Sequence, residues 1–63
     1  MANNDLYIGY DFENVKFRWD SRTKTVYRRF HGSSQEDIVP HDNRLFNEAL
    51  RFGDVITREE YFS

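Results

Sequence analysis

Positively charged side chains are concentrated in one short stretch of the sequence, residues 15–30. This stretch carries six basic residues and one acidic residue, whereas the rest of the 63-residue chain carries three basic and ten acidic residues. Guanidinium and ammonium groups bind phosphate, and arginine also recognises guanine in the major groove of DNA. Such a cluster on a chain with a net charge of −2 predicts an anionic partner, most simply a nucleic acid. The residues predicted to contact it are Lys16, Arg18, Arg22, Lys24 and Arg28, together with Tyr7, whose ring can stack or contact phosphate.

The sequence offers little for other kinds of chemistry. His31 and His41 are ten residues apart, and there is no cysteine to complete a zinc site. No nucleophile elbow, phosphate-binding glycine loop or dinucleotide fingerprint is present. We therefore expect no catalytic residues, no metal site and no cofactor.

Two predicted strands position the cations. In residues 15–19, Val15, Phe17 and Trp19 alternate with Lys16 and Arg18, which is the pattern of a half-buried strand. Residues 25–30 are rich in β-formers, and the polar residues 20–24 suit a turn between the strands. The register that keeps aromatic and basic residues apart pairs Phe17 with Tyr27 and Lys16 with Arg28. A slip of one residue would mix the two sets.

A further strand is predicted over residues 6–12. Leu6, Ile8, Tyr10 and Phe12 would point inward, with Tyr7 on the same outer face as the cations. Glu13 and Asn14 would form a two-residue turn, because asparagine tolerates a positive φ. That turn pairs Phe12 with Val15 and Tyr10 with Phe17, so both hairpins place Phe17 on the core side.

The second half of the chain predicts the cover for this sheet. A helix is expected over residues 43–52, with Asp42 or Asn43 as N-cap and Gly53 after its last turn. A helical turn is expected over residues 58–62, because Thr57 and Glu60 have the spacing of a capping box. Ser33 and Glu36 show the same spacing and predict another short turn.

The predicted architecture is a single small α+β domain over residues 1–63. It consists of a three-stranded antiparallel β-meander covered on one face by an α-helix, plus a short C-terminal helical turn. No apolar run reaches the length of a membrane span, and the first residues do not have the pattern of a signal peptide. We expect a cytoplasmic protein without a membrane partner.

The order βββα resembles the N-terminal arm-type DNA-binding domains of lambda-like phage integrases. The resemblance depends on Leu6–Ile8 opening the first strand, on residues 20–23 (DSRT) in the second turn, and on residues 46–49 (FNEA) in the helix. It implies that the sheet docks in the major groove and that Lys16, Arg18, Arg22 and Arg28 face DNA.

Two functions follow from these patterns. The first is a non-enzymatic module that binds nucleic acid, with duplex DNA as the expected form, through the basic face of the sheet. The alternative is a protein–protein interaction module, such as an inhibitor or regulator encoded by a phage or mobile element. That module would use the third strand as an edge, or aromatic residues left uncovered by the helix, and would be a monomer or a homodimer.

Overall fold

A five-stranded antiparallel sheet with one helix on each face is formed by residues 5–63, the part of the chain that the computed structural model describes. The strands are β1 Leu6–Tyr10, β2 Val15–Asp20, β3 Thr25–Phe30, β4 Asp37–Val39 and β5 Asp54–Val55, in the spatial order β4-β3-β2-β1-β5. The helices are α1 Arg44–Phe52 and α2 Arg58–Phe62, and a 3-10 turn at Asp11–Glu13 joins β1 to β2. Within this part of the chain, no helix has the length and apolar character needed to cross a membrane.

The predicted α+β class is confirmed, but the sheet has five strands rather than three. The two additional strands, β4 and β5, contain three and two residues and pair with β3 and β1. Such short segments carry no alternation of their own, because a period of two needs about four residues to be visible. The third strand is therefore not an edge of the sheet, since β4 covers it.

The turn between β1 and β2 differs from the prediction. β1 ends at Tyr10, which pairs with Val15, so the turn has four residues instead of two. Asn14 closes it with φ 58°, and its N–H donates to the carbonyl of Asp11. The observed pairing of β1 with β2 differs from the predicted pairing by two residues. Because side chains alternate with a period of two, Ile8 and Tyr10 stay on the predicted face. Phe12, however, leaves the strand, and its side chain is 83% exposed.

The register between β2 and β3 is shifted by one residue from the prediction. Phe17 pairs with Arg28, and Lys16 pairs with Arg29. The cause is local, because Asp20 extends β2 and accepts a hydrogen bond from the backbone N–H of Arg22, which starts the turn one residue later. A shift of one residue exchanges the faces of β3, so Arg28 lies on the same face as Phe17.

Helix α1 covers the apolar face of the sheet, here termed the α1 face. Asn43 caps the helix by accepting from the N–H of Phe46, as predicted. The helix ends before Gly53. The rings of Phe46 and Phe17 lie 5.5 Å apart. The buried residues of this core are Ile8, Val15, Phe17, Val26, Val39, Phe46 and Ala49.

Helix α2 covers the opposite face, termed the α2 face. Its predicted capping box is present, with Thr57 and Glu60 each accepting from the other's backbone N–H. The side chain of Tyr61 is fully buried, and its ring centroid is 5.6 Å from that of Tyr7. The face that the sequence presented as an open cationic surface is therefore packed against the C-terminal helix.

Candidate functional site

Lys16, one of the predicted phosphate ligands, is buried and is 8% exposed. Its Nζ donates to the backbone carbonyl of Glu60 at 2.7 Å and to that of Tyr61 at 3.3 Å. The last carbonyls of a helix have no partner within the helix, and a positive charge at this end is also favourable to the helix dipole. Lys16 therefore holds α2 on the sheet.

Arg18 is also engaged within the molecule. Its Nε and Nη2 donate to the two carboxylate oxygens of Glu36, each at 3.1 Å, and its guanidinium lies 4.0 Å from the centroid of the Tyr27 ring. Burial of the guanidinium opposes its charge, but the hydrogen bond and the negative charge of Glu36 outweigh this effect and raise the pKa of Arg18. Paired carboxylate and ring contacts of this kind leave Arg18 little capacity for an external anion.

Glu36 connects the α2 face to helix α2. It accepts from the Tyr61 hydroxyl at 2.7 Å in addition to Arg18. Burial alone would raise the pKa of Glu36, but hydrogen bonds from Arg18 and Tyr61 lower it. Burial, reinforced by the hydrogen bond to Glu36, raises the pKa of Tyr61. The predicted helical turn at Ser33 is wrong, because Glu36 makes these tertiary contacts and Ser33 accepts instead from the N–H of Gln35.

The other predicted contact residues are scattered. Tyr7 lies under α2 and accepts from Arg58 at 3.4 Å. Arg28, on the α1 face, pairs with Asp37 at 3.3 Å. Arg22 and Lys24 are exposed in the β2–β3 turn. The prediction that Lys16, Arg18 and Arg28 share one open face is therefore wrong, since two are enclosed under α2 and the third points the other way.

An aromatic surface is instead exposed at the end of the sheet that carries the β1–β2 turn. Tyr10, Val15 and Phe30 are paired in one row across three strands, in which Val15 is fully buried, Tyr10 is half-buried and Phe30 is 41% exposed. The ring centroids of Tyr10 and Phe12 are 6.2 Å apart. This surface, formed by residues 10–13 and 30–31, is termed the turn end. Sequence reasoning missed it because Phe12 continues the alternation of β1.

A groove of about 410 Å³ lies beside the turn end, between it and α2. Among its lining residues, Lys16 is bonded to α2, and His31 Nε2 lies 3.5 Å from Asp11 Oδ1. No three histidine, cysteine, aspartate or glutamate side chains gather in residues 5–63 to hold a metal ion. The groove therefore presents no recognisable set of reacting groups.

Comparisons with known proteins give a consistent result. The model of a family described as Tis1 immunity protein matches residues 1–63. The immune protein Tis1 of Pseudomonas aeruginosa (strain UCBPP-PA14) is 59% identical over 62 residues, which are 97% of this chain and 80% of the relative. Among solved structures, the complex between the type VI effector Tas1 and its immunity protein contains a chain that is 61% identical. The similarity has a TM-score of 0.85 and covers 90% of this chain and 76% of that one.

These matches correct two predictions. The resemblance to integrase arm-type domains is wrong, because the family match covers the whole chain and is to immunity proteins. The predicted nucleic-acid-binding function is wrong for the same reason, and the crystallised relative is in a complex between two proteins. No nucleic-acid role is proposed for Lys16, Arg18, Arg22, Lys24, Arg28 or Tyr7.

Proposed function

The chain belongs to the Tis1 immunity protein family, and from this membership we propose that it binds and inhibits a type VI effector similar to Tas1. The observation that carries the proposal is the structural similarity to the Tas1–immunity protein complex, with a TM-score of 0.85 at 61% identity. A TM-score of 0.85 means that the two backbones follow the same path. A similar mode of binding is therefore the simplest expectation.

The internal contacts support a binding role. The network of Arg18, Glu36 and Tyr61 joins β2, the segment before β4, and α2. Lys16 adds a second attachment of α2 to the sheet. A surface held in one conformation loses little conformational entropy when it binds a partner. We propose that the protein acts by occupying the effector and performs no reaction of its own.

A binding measurement and a protection assay test this proposal together. The purified chain is titrated into Tas1 by calorimetry, and the same pair is co-expressed in a bacterium that Tas1 arrests. We expect a saturable complex and restored growth. A Phe17→Asp variant, which places a charge in the core, is the control and should neither bind nor protect. Absence of both binding and protection with the parent chain would refute the proposal.

A further inference from the structure

We propose that the turn end is the surface that contacts the effector, and that it fits an apolar recess rimmed by basic side chains. This inference rests on the proposed function and specifies which part of the molecule carries it. It is based on three properties of residues 10–13 and 30–31: the exposure of the aromatic rings, the way the backbone holds them, and the charges beside them.

Phe12 has the most exposed large apolar side chain among the residues that the structure describes. Its side chain is 83% exposed, and Phe30, at the same end of the sheet, is 41% exposed. Tyr10 is half-buried, and its ring centroid lies 6.2 Å from that of Phe12. Phe30 lies in the same cross-strand row as Tyr10, on the other side of the fully buried Val15. Exposed aromatic groups at one end of a sheet are typical of protein interfaces, where aromatic and arginine side chains provide most of the binding energy. Arg28, whose guanidinium lies 5.1 Å from the Phe30 ring centroid, adds such an arginine.

The backbone holds Phe12 in this exposed position. The N–H of Asn14 donates to the carbonyl of Asp11 at 3.1 Å, which closes the turn on one side. The N–H of His31 donates to the carbonyl of Asn14 at 2.9 Å and ties the turn to the chain that leaves β3. The ring of Phe12 is therefore presented on an ordered turn with bonds at both ends. Such preorganisation favours a ring that inserts into a partner.

The charges beside Phe12 indicate the chemistry of the partner. Asp11 and Glu13 flank it, both residues are exposed, and the Asp11 side chain is 88% exposed. An exposed ring between two carboxylates is complementary to an apolar recess with lysine or arginine at its rim. The net charge of −2 favours the same approach. Other large apolar side chains are also exposed, but they lie elsewhere. Ile38 is on the α2 face, and Phe52 and Val55 are on α1 and β5. There the guanidinium of Arg51 lies 5.8 Å from the Phe52 ring centroid.

The test measures affinity for Tas1 with the full chain and three sets of variants. Phe12→Ala and Phe30→Ala should each weaken binding by at least about tenfold, as expected for anchor residues. The double variant Asp11→Asn, Glu13→Gln should bind more slowly and should lose most of the dependence of the association rate on salt. Ile38→Ala, 71% exposed on the other face, is the matched control and should bind like the parent. Thermal unfolding of Phe12→Ala should be unchanged, because its side chain is already in water.

The outcomes separate this inference from the proposed function. If the parent binds Tas1 and both phenylalanine variants bind within about twofold of it, the inference is wrong and the proposed function stands. If the parent does not bind, the proposed function fails, and the inference fails with it. If Phe12→Ala changes only the sedimentation behaviour of the isolated protein, the turn end is a contact between copies of this chain, and the inference is again overturned.

Discussion

Tyr61 donates its hydroxyl hydrogen to Oε2 of Glu36 at 2.7 Å, although the two residues are 25 positions apart in sequence. The bond joins helix α2 to the segment that enters β4, and it completes the environment of a carboxylate that also pairs with Arg18. The segment before β4 and helix α2 are thereby both fixed on the α2 face of the sheet.

Replacing Tyr61 with phenylalanine should remove this bond and keep the packing of the ring against Tyr7. We expect the free energy of unfolding to fall by about 1–2 kcal/mol, because a partly buried hydrogen bond to a charged group is lost. Urea unfolding measures the change. Tyr27→Phe, which keeps the ring beneath Arg18 and leaves the Glu36 bond intact, is the control. Equal losses in the two variants would contradict the prediction.

Lys16→Met should detach the last turn of α2. The methionine side chain retains the apolar stem but cannot donate to the carbonyls of Glu60 and Tyr61. We expect a loss of about 1–3 kcal/mol in unfolding free energy, together with faster hydrogen exchange at the backbone amides of α2. Arg22→Met, in the exposed β2–β3 turn, should leave both measurements unchanged. Unaltered exchange in the Lys16 variant would show that α2 is held by its rings alone.

The Glu36 carboxyl group should make stability depend on pH in the acid range. Burial raises its pKa, but hydrogen bonds from Arg18 and Tyr61 bring it below the ordinary value of 4.5. A carboxyl group whose pKa is lowered by folding stabilises the fold above the unfolded pKa and loses that contribution as pH falls through the folded pKa. Melting temperatures should therefore fall below about pH 4.5, and less steeply in Glu36→Gln. The exposed Glu59→Gln is the control, and identical slopes in the two variants would refute the role of Glu36.

Gly53→Ala should be strongly destabilising for a steric reason. The backbone at Gly53 has an ordinary φ of −82°, but a Cβ there would lie 2.6 Å from the carbonyl oxygen of Gly9 and 2.7 Å from that of Ala49. Because both contacts are backbone atoms, α1 and β1 would have to move apart, at a cost of about 1–3 kcal/mol.

Gly32→Ala provides the comparison for the glycine prediction. Gly32 has φ +81° and open space around it, so alanine meets only the conformational penalty of about 1–2 kcal/mol. Chemical denaturation should show the larger loss for Gly53→Ala. In that variant the N–H of residue 53, which donates to the carbonyl of Ala49, should also exchange faster. A loss at Gly53 smaller than that at Gly32 would contradict the steric argument.

The parts of the fold that depend on neighbouring residues could be predicted from the sequence. The caps at Asn43 and Thr57 act within three residues of themselves, and both are present. The alternation in β2 correctly assigned Phe17 and Lys16 to opposite faces. The register of β3 could not be predicted in this way, because it depends on how the turn closes. Asp20 pairs with Thr25 and accepts from the Arg22 N–H, and Lys24 has φ 58°, which alternation does not reveal.

The candidate site depends on contacts that are distant in sequence. The positive charges of Lys16 and Arg18 are real, but their partners are Glu60, Tyr61 and Glu36, which the sequence places 18 to 45 positions away. The residues next to Lys16 and Arg18 in the sequence do not indicate that α2 packs over these side chains. The exposure of Phe12 could not be predicted for a related reason. In the sequence Phe12 continues the alternation of apolar residues in β1, but in the structure a 3-10 turn ends β1 before it.

The outermost strands of the sheet, β4 and β5, contain three and two residues. An edge this short offers few backbone groups to which a neighbouring chain can pair, and short edges are one way in which β-proteins avoid sheet growth between molecules. A high concentration of the protein, in a cell or in solution, should therefore not start fibril growth at these edge strands. Association between copies of this protein would therefore depend on surface side chains. Single substitutions can change the chemistry of those side chains one residue at a time.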